Sequence, residues 1–111
     1  MTDEQATALG KRLVACKDFR PMRGMLDMQG RTWDQSLLWR WSNDVDVPDL
    51  RDPATLGCVL AMVRSVYTEP RLAVVPWRRQ WAVDYVWLRD GRVSTAPTEA
   101  EALVAALEVA P

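Results

Sequence analysis

Six tryptophans, Trp33, Trp39, Trp41, Trp77, Trp81 and Trp87, are the unusual chemistry in this chain of 111 residues. Arg31, Arg40, Arg78, Arg79, Arg89 and Arg92 are interleaved with them. Alternating aromatics and guanidinium groups on a sheet can stack and hold single-stranded nucleic acid. The same residue types dominate the energetic centres of protein interfaces. Many indoles simply fill a core, so about three of the six are assigned there. Trp77 beside Arg78 and Arg79, together with Trp39 or Trp41, forms the expected exposed set. Its members are Trp39, Trp41, Trp77, Arg78 and Arg79. Fourteen basic residues against fifteen acidic ones give a net charge of −1, so no overall field draws in a polyanion. A protein partner is therefore favoured over nucleic acid, and a second copy of the chain is one such partner.

Catalytic and metal-binding equipment is sparse. The chain contains no histidine, which removes the commonest general base and metal ligand. Its two cysteines, Cys16 and Cys58, lack zinc-ligand spacing. They are expected as small, buried, reduced thiols on helical segments, with a disulfide as the alternative. No glycine-rich phosphate loop follows a strand. Asp44, Asp46, Asp49 and Asp52 could offer oxygens to a hard cation. The loop lacks the glycine and terminal glutamate of a calcium hand and reads instead as a solvated connection ending in a helix cap. The expectation is a non-enzyme with no cofactor and no metal. There is no secretory signal at the acidic start and no apolar run of membrane-spanning length, so a cytoplasmic setting is expected.

The length suits one domain, residues 1–111. Thr2 with Gln5 forms a capping box, and Ala6, Leu9, Leu13 and Cys16 form the stripe of a first helix. The central helix carries the clearest signal. Asp52 is the N-cap, Pro53 takes the first helical position, and Leu56, Val59, Leu60, Val63 and Tyr67 share a face before Pro70 ends the segment. Gly57 interrupts good helix formers, which a close backbone approach would explain. Thr98 to Glu101 is a second capping box, opening a final helix with Leu103, Val104 and Leu107 inward.

Between the helices the pattern predicts strands over Met25–Gln29, Leu37–Trp41, Arg71–Val75, Trp81–Leu88 and Arg92–Ala96. Pro76 stops the third, Trp77 to Gln80 is a tight connection, and Asp90-Gly91 signals a hairpin. The expected architecture is α+β, a central and mostly antiparallel sheet of about five strands with three helices packed on it. The order is α-β-β-α-β-β-β-α. Trp81 to Leu88 is apolar on both faces, so both faces should be covered.

Two segments resemble parts of small bacteriophage and prophage proteins. One is Val47-Pro48-Asp49-Leu50-Arg51-Asp52-Pro53-Ala54-Thr55-Leu56-Gly57-Cys58-Val59-Leu60. The other is Pro97-Thr98-Glu99-Ala100-Glu101-Ala102-Leu103-Val104-Ala105-Ala106-Leu107-Glu108. They are similar to the phage family described as an alpha-beta-alpha sandwich domain. The matching features are caps, turns and core stripes. The resemblance implies a fold and a phage or prophage origin, and it offers no catalytic residues to carry over. By analogy the function expected is that of a small non-catalytic accessory protein that binds a protein partner, one form being an inhibitor of a host defence complex. The alternative is a single-stranded nucleic-acid-binding module using the Trp/Arg sheet face.

Overall fold

The computed structural model describes residues 1–32 and 47–111. It is α+β, and its described residues contain three helices and a three-stranded antiparallel sheet. The helices are α1 (Asp3–Val14), α2 (Pro53–Val66) and α3 (Glu99–Glu108), and the strands are β1 (Ala73–Trp77), β2 (Gln80–Asp84) and β3 (Arg92–Ala96). The chain divides into two compact units, Met1–Cys58 and Val59–Pro111, and α2 runs from the first into the second. No described helix is long and apolar enough to cross a membrane.

In the first unit, Thr2 opens α1 as its capping box requires. The Gln5 amide donates to the Thr2 hydroxyl and the Gln5 side chain accepts from the Thr2 amide. Ala6, Leu9 and Leu13 are buried. So is Gly10, where an added Cβ would lie 2.6 Å from the Pro48 carbonyl oxygen. The close backbone approach expected at Gly57 is therefore found at Gly10. Gly57 is exposed, with nothing among the described residues within 4 Å of a Cβ.

Met25 to Gln29 does not form a strand. It makes only single bridges, Leu26 with Thr32 and Asp27 with Pro48. The cause is Asp27, whose buried carboxylate accepts from the Gln29 amide, the Arg31 amide and Arg31 Nε at 2.8–2.9 Å. Those bonds curl the chain back through Gly30, which takes φ +81°.

Asp52 caps α2 as expected, accepting from the Thr55 amide at 2.9 Å and from the Thr55 hydroxyl at 3.0 Å. Thr55 is fully buried and its oxygen also accepts from the Leu26 amide. This polar side chain therefore holds an inward position that apolar periodicity does not mark.

In the second unit, α2 ends in a Schellman arrangement. The Glu69 amide donates to the Arg64 carbonyl, the Thr68 amide donates to the Ser65 carbonyl, and Thr68 takes φ +49°. The sheet order is β1-β2-β3. α3 packs on it, with Thr98 accepting from the Glu101 amide and the Ser94 hydroxyl donating to the Ala102 carbonyl. Val83, Leu103, Val104 and Leu107 are buried there.

Both ends of β1 and both ends of β2 differ from the sequence reading, while β3 matches it. β1 continues through Pro76 to Trp77. Proline is tolerated because β1 has no further neighbour among the described residues and Pro76, paired with Trp81, needs no rung toward β2. β2 stops at Asp84, four residues before Leu88. Its neighbour β1 begins at Ala73, opposite Asp84, so a longer β2 would have no partner on that side. A register shift between Val83 and Asp84 then diverts the chain. The Asp90-Gly91 signal closes a longer loop, in which the Tyr85 amide donates to the Gly91 carbonyl. Gly91 is fixed by a contact: a Cβ there would sit 2.6 Å from the Tyr85 carbonyl oxygen. The sheet thus has three strands among the described residues, not five. The expected strand Leu37–Trp41 lies outside the described residues.

Candidate functional site

Trp77, Arg78, Arg79 and Gln80 form the tip of the β1–β2 hairpin. Trp77 and Gln80 are the last paired residues, leaving a two-residue connection. Both connecting residues have positive φ, 45° at Arg78 and 64° at Arg79. That is the signature of a type I′ turn, whose twist matches the strands it joins. Asn-Gly is the sequence that fits it, and two arginines there hold a conformation that L side chains with a long stem resist.

Arg78 and Arg79 are exposed and Trp77 is half-buried. Two guanidinium groups lie over the Trp77 indole, that of Arg92 at 4.2 Å from the ring centroid and that of Arg78 at 4.9 Å. Strand register explains how Arg92 arrives. Gln80, Ala82 and Asp84 alternate onto one face of β2. Trp77 pairs with Gln80 and Arg92 pairs with Asp84. Both therefore stand on that face, and their side chains meet across Ala82, which is fully buried. Arg92 belongs to the cluster, although the sequence reading placed it only among the interleaved arginines. The register shift between Val83 and Asp84 is what brings Arg92 opposite Asp84; simple alternation along β3 would set it with Ser94 and Ala96 on the other face, so the sequence held no signal for it.

The expected site members divide as follows. Trp77, Arg78 and Arg79 come together at one tip. Trp39 and Trp41 lie outside the described residues, as do Trp33, Asp44 and Asp46. Asp49 and Asp52 have structural partners, Arg51 and the start of α2. Burial pushes the Asp49 carboxyl up, but hydrogen bonds from the Arg51 side chain and amide, with its charge, outweigh this and leave the pKa below the usual value. Among the described residues no three histidine, cysteine or acidic side chains converge as a metal site would require.

Both cysteines are free and half-buried, less enclosed than expected. Cys16 falls beyond the end of α1 and its thiol donates to the Arg12 carbonyl. Burial, and then the Asp52 charge, push the Cys58 thiol up. This is the opposite of an activated nucleophile.

A second exposed cluster escaped the sequence reading, because Val86, Trp87 and Leu88 were assigned to a strand. In the loop after β2 they are 55%, 39% and 54% exposed. Trp87 packs edge-on against Tyr85 at 5.6 Å and carries the Arg71 guanidinium at 4.0 Å. Tyr85 in turn meets Tyr67, whose hydroxyl donates to the Ala106 carbonyl.

Comparison with protein-family models, with curated proteins and with solved structures returned no match.

Proposed function

We propose that this chain is a non-catalytic accessory protein that acts by docking onto another protein, with Trp77, Arg78, Arg79 and Arg92 as the contact. One observation carries the reading: two consecutive arginines occupy the left-handed positions of a tight hairpin. Strained backbone persists where the side chains it presents are needed. Arginine and tryptophan are also the side chains that concentrate binding energy at protein interfaces. Trp39 and Trp41 join this proposed surface on sequence grounds alone.

The nucleic-acid alternative is weaker at this tip. Stacking a base needs a bare aromatic face, and both Trp77 and Trp87 already carry guanidinium groups at 4.0–4.9 Å. The phage or prophage origin and the narrower role of inhibiting a host defence complex rest on the resemblance of segments 47–60 and 97–108. A cytoplasmic setting is in keeping with two free thiols.

The test is affinity capture from a bacterial host lysate with three baits: the parent, Arg78→Ala/Arg79→Ala, and Arg20→Ala/Arg23→Ala as a control with equal charge loss. A species retained by the parent and the control but lost with the tip variant supports the reading. Equal retention by all three refutes it. Sedimentation at several concentrations identifies a second copy as the partner if association requires the same two arginines.

A further inference from the structure

We propose, building on the docking reading, that the partner presents a carboxylate-rich protein segment to Arg78, Arg79 and Arg92. The argument comes from which arginines already have partners. Arg31 is held by Asp27 at 2.9 Å, Arg51 by Asp3 and Asp49 at 2.6 and 2.9 Å, and Arg71 by Glu69 at 3.3 Å. At the tip, Arg92 has only a long contact of 3.8 Å to Asp90, whose side chain is 82% exposed. No carboxylate of the described residues reaches Arg78 or Arg79. The strained turn and its stacked neighbour thus display guanidinium groups that no carboxylate of the described residues holds closely.

Stacking on Trp77 orients Arg78 and Arg92 and limits the rotamer freedom a partner must freeze. An oriented guanidinium offers parallel N–H donors that match the two oxygens of a carboxylate. The loose, exposed Asp90 contact is worth little, so a partner's carboxylate displaces it readily. A nucleic-acid strand would also bring anions. At the tip it would find the Trp77 indole already covered by guanidinium groups, and it would meet a molecule of net charge −1, with no broad positive field to guide a polyanion.

Fluorescence anisotropy tests this with a labelled peptide in which glutamates alternate with tyrosines, its glutamine counterpart, and a labelled single-stranded oligodeoxynucleotide. The glutamate peptide should bind the parent and the Arg20→Gln/Arg23→Gln control alike. Arg78→Gln/Arg79→Gln should weaken it about tenfold or more, because hydrogen bonds to charged groups are among the stronger ones and both are removed together. Equal binding of the glutamine peptide, equal weakening in both double variants, or tighter tip-dependent binding of the oligonucleotide each overturns the acidic partner. If the peptide fails to bind while lysate capture still depends on Arg78 and Arg79, the acidic partner falls and the docking site stands. If capture is also independent of them, both fall.

Discussion

Replacing the tip arginines with the residues their backbone prefers should make the protein more stable and less able to bind. The perturbation is Arg78→Asn/Arg79→Gly. A left-handed backbone costs a residue with a Cβ about 1–2 kcal/mol, and glycine essentially nothing. Position 79, at φ 64°, should therefore recover about 1 kcal/mol or slightly more. Position 78, at φ 45°, should recover about 0.5 kcal/mol, because asparagine tolerates that region better than arginine. Two losses oppose this. The Arg78–Trp77 stack, exposed and 4.9 Å long, is worth about 0.5 kcal/mol. The added glycine frees the unfolded chain by about 0.5 kcal/mol. The balance is a gain of about 0.5 kcal/mol, which for a chain of this length raises the melting midpoint by about 2 °C. Thermal unfolding followed by circular dichroism reads the first effect, and anisotropy with the glutamate peptide reads the second. A lowered midpoint would mean that the arginines serve the fold. A raised midpoint with unchanged binding would mean that they serve neither purpose, and the argument from strain would be wrong.

The two helical glycines should respond to alanine in opposite directions. Gly57→Ala should add about 0.5–1 kcal/mol of stability, as helix propensity dictates at an open site. Gly10→Ala should cost about 1–2 kcal/mol despite the same propensity gain, because the new Cβ meets the Pro48 carbonyl; urea midpoints of the same sign for both would contradict the packing described. Thr68→Gly should stabilise by about 1 kcal/mol through relief of φ +49° at the end of α2, and a loss of stability in urea would show that the threonine side chain is needed there. Asp49 has a depressed pKa in the folded protein, so its stabilising effect is complete above about pH 4 and lost as the pH falls through the folded value. Asp49→Asn should therefore flatten the acid limb of stability against pH, and superposable limbs would refute the Asp49–Arg51 linkage.

What sequence could and could not say follows from the range over which each residue acts. Thr2, Asp52 and Thr98 cap helices through atoms no more than three residues away, and their effects are readable from a short window. Trp77 to Gln80 closes the hairpin for the same reason. Gly10 and Gly57 look alike in a window, since each interrupts a helix. Only the chain returning at Pro48, thirty-eight residues later, makes one indispensable and leaves the other replaceable. β2 was read too long because its composition favours a strand through Leu88, while its end is set by where β1 begins. Asp27 reads as an ordinary polar residue, yet its three accepted bonds turn an expected strand into a loop.

The edge of the sheet gives a further reason to place recognition in side chains. In a two-residue hairpin the closing pair exchanges hydrogen bonds and the next pair does not. Trp77, Val75 and Ala73 therefore direct their amides toward β2, and Pro76, Val74 and Leu72 direct theirs outward. Pro76 has no amide hydrogen to offer, and the Leu72 amide already donates to the Glu69 carbonyl at 3.3 Å. Of these three, Val74 has an outward amide with no acceptor among the described residues. A partner strand laid along β1 would find one donor where three are needed, which is how natural edges resist unwanted pairing. The docking proposed at this end of the sheet is accordingly assigned to Trp77, Arg78, Arg79 and Arg92. Pro76→Val should open the edge without touching them. If β1 is guarded in this way, that variant should self-associate in sedimentation at concentrations where the parent does not, and its binding of the glutamate peptide at low concentration should be unchanged. A variant that sediments like the parent would show that Pro76 is not what protects the edge.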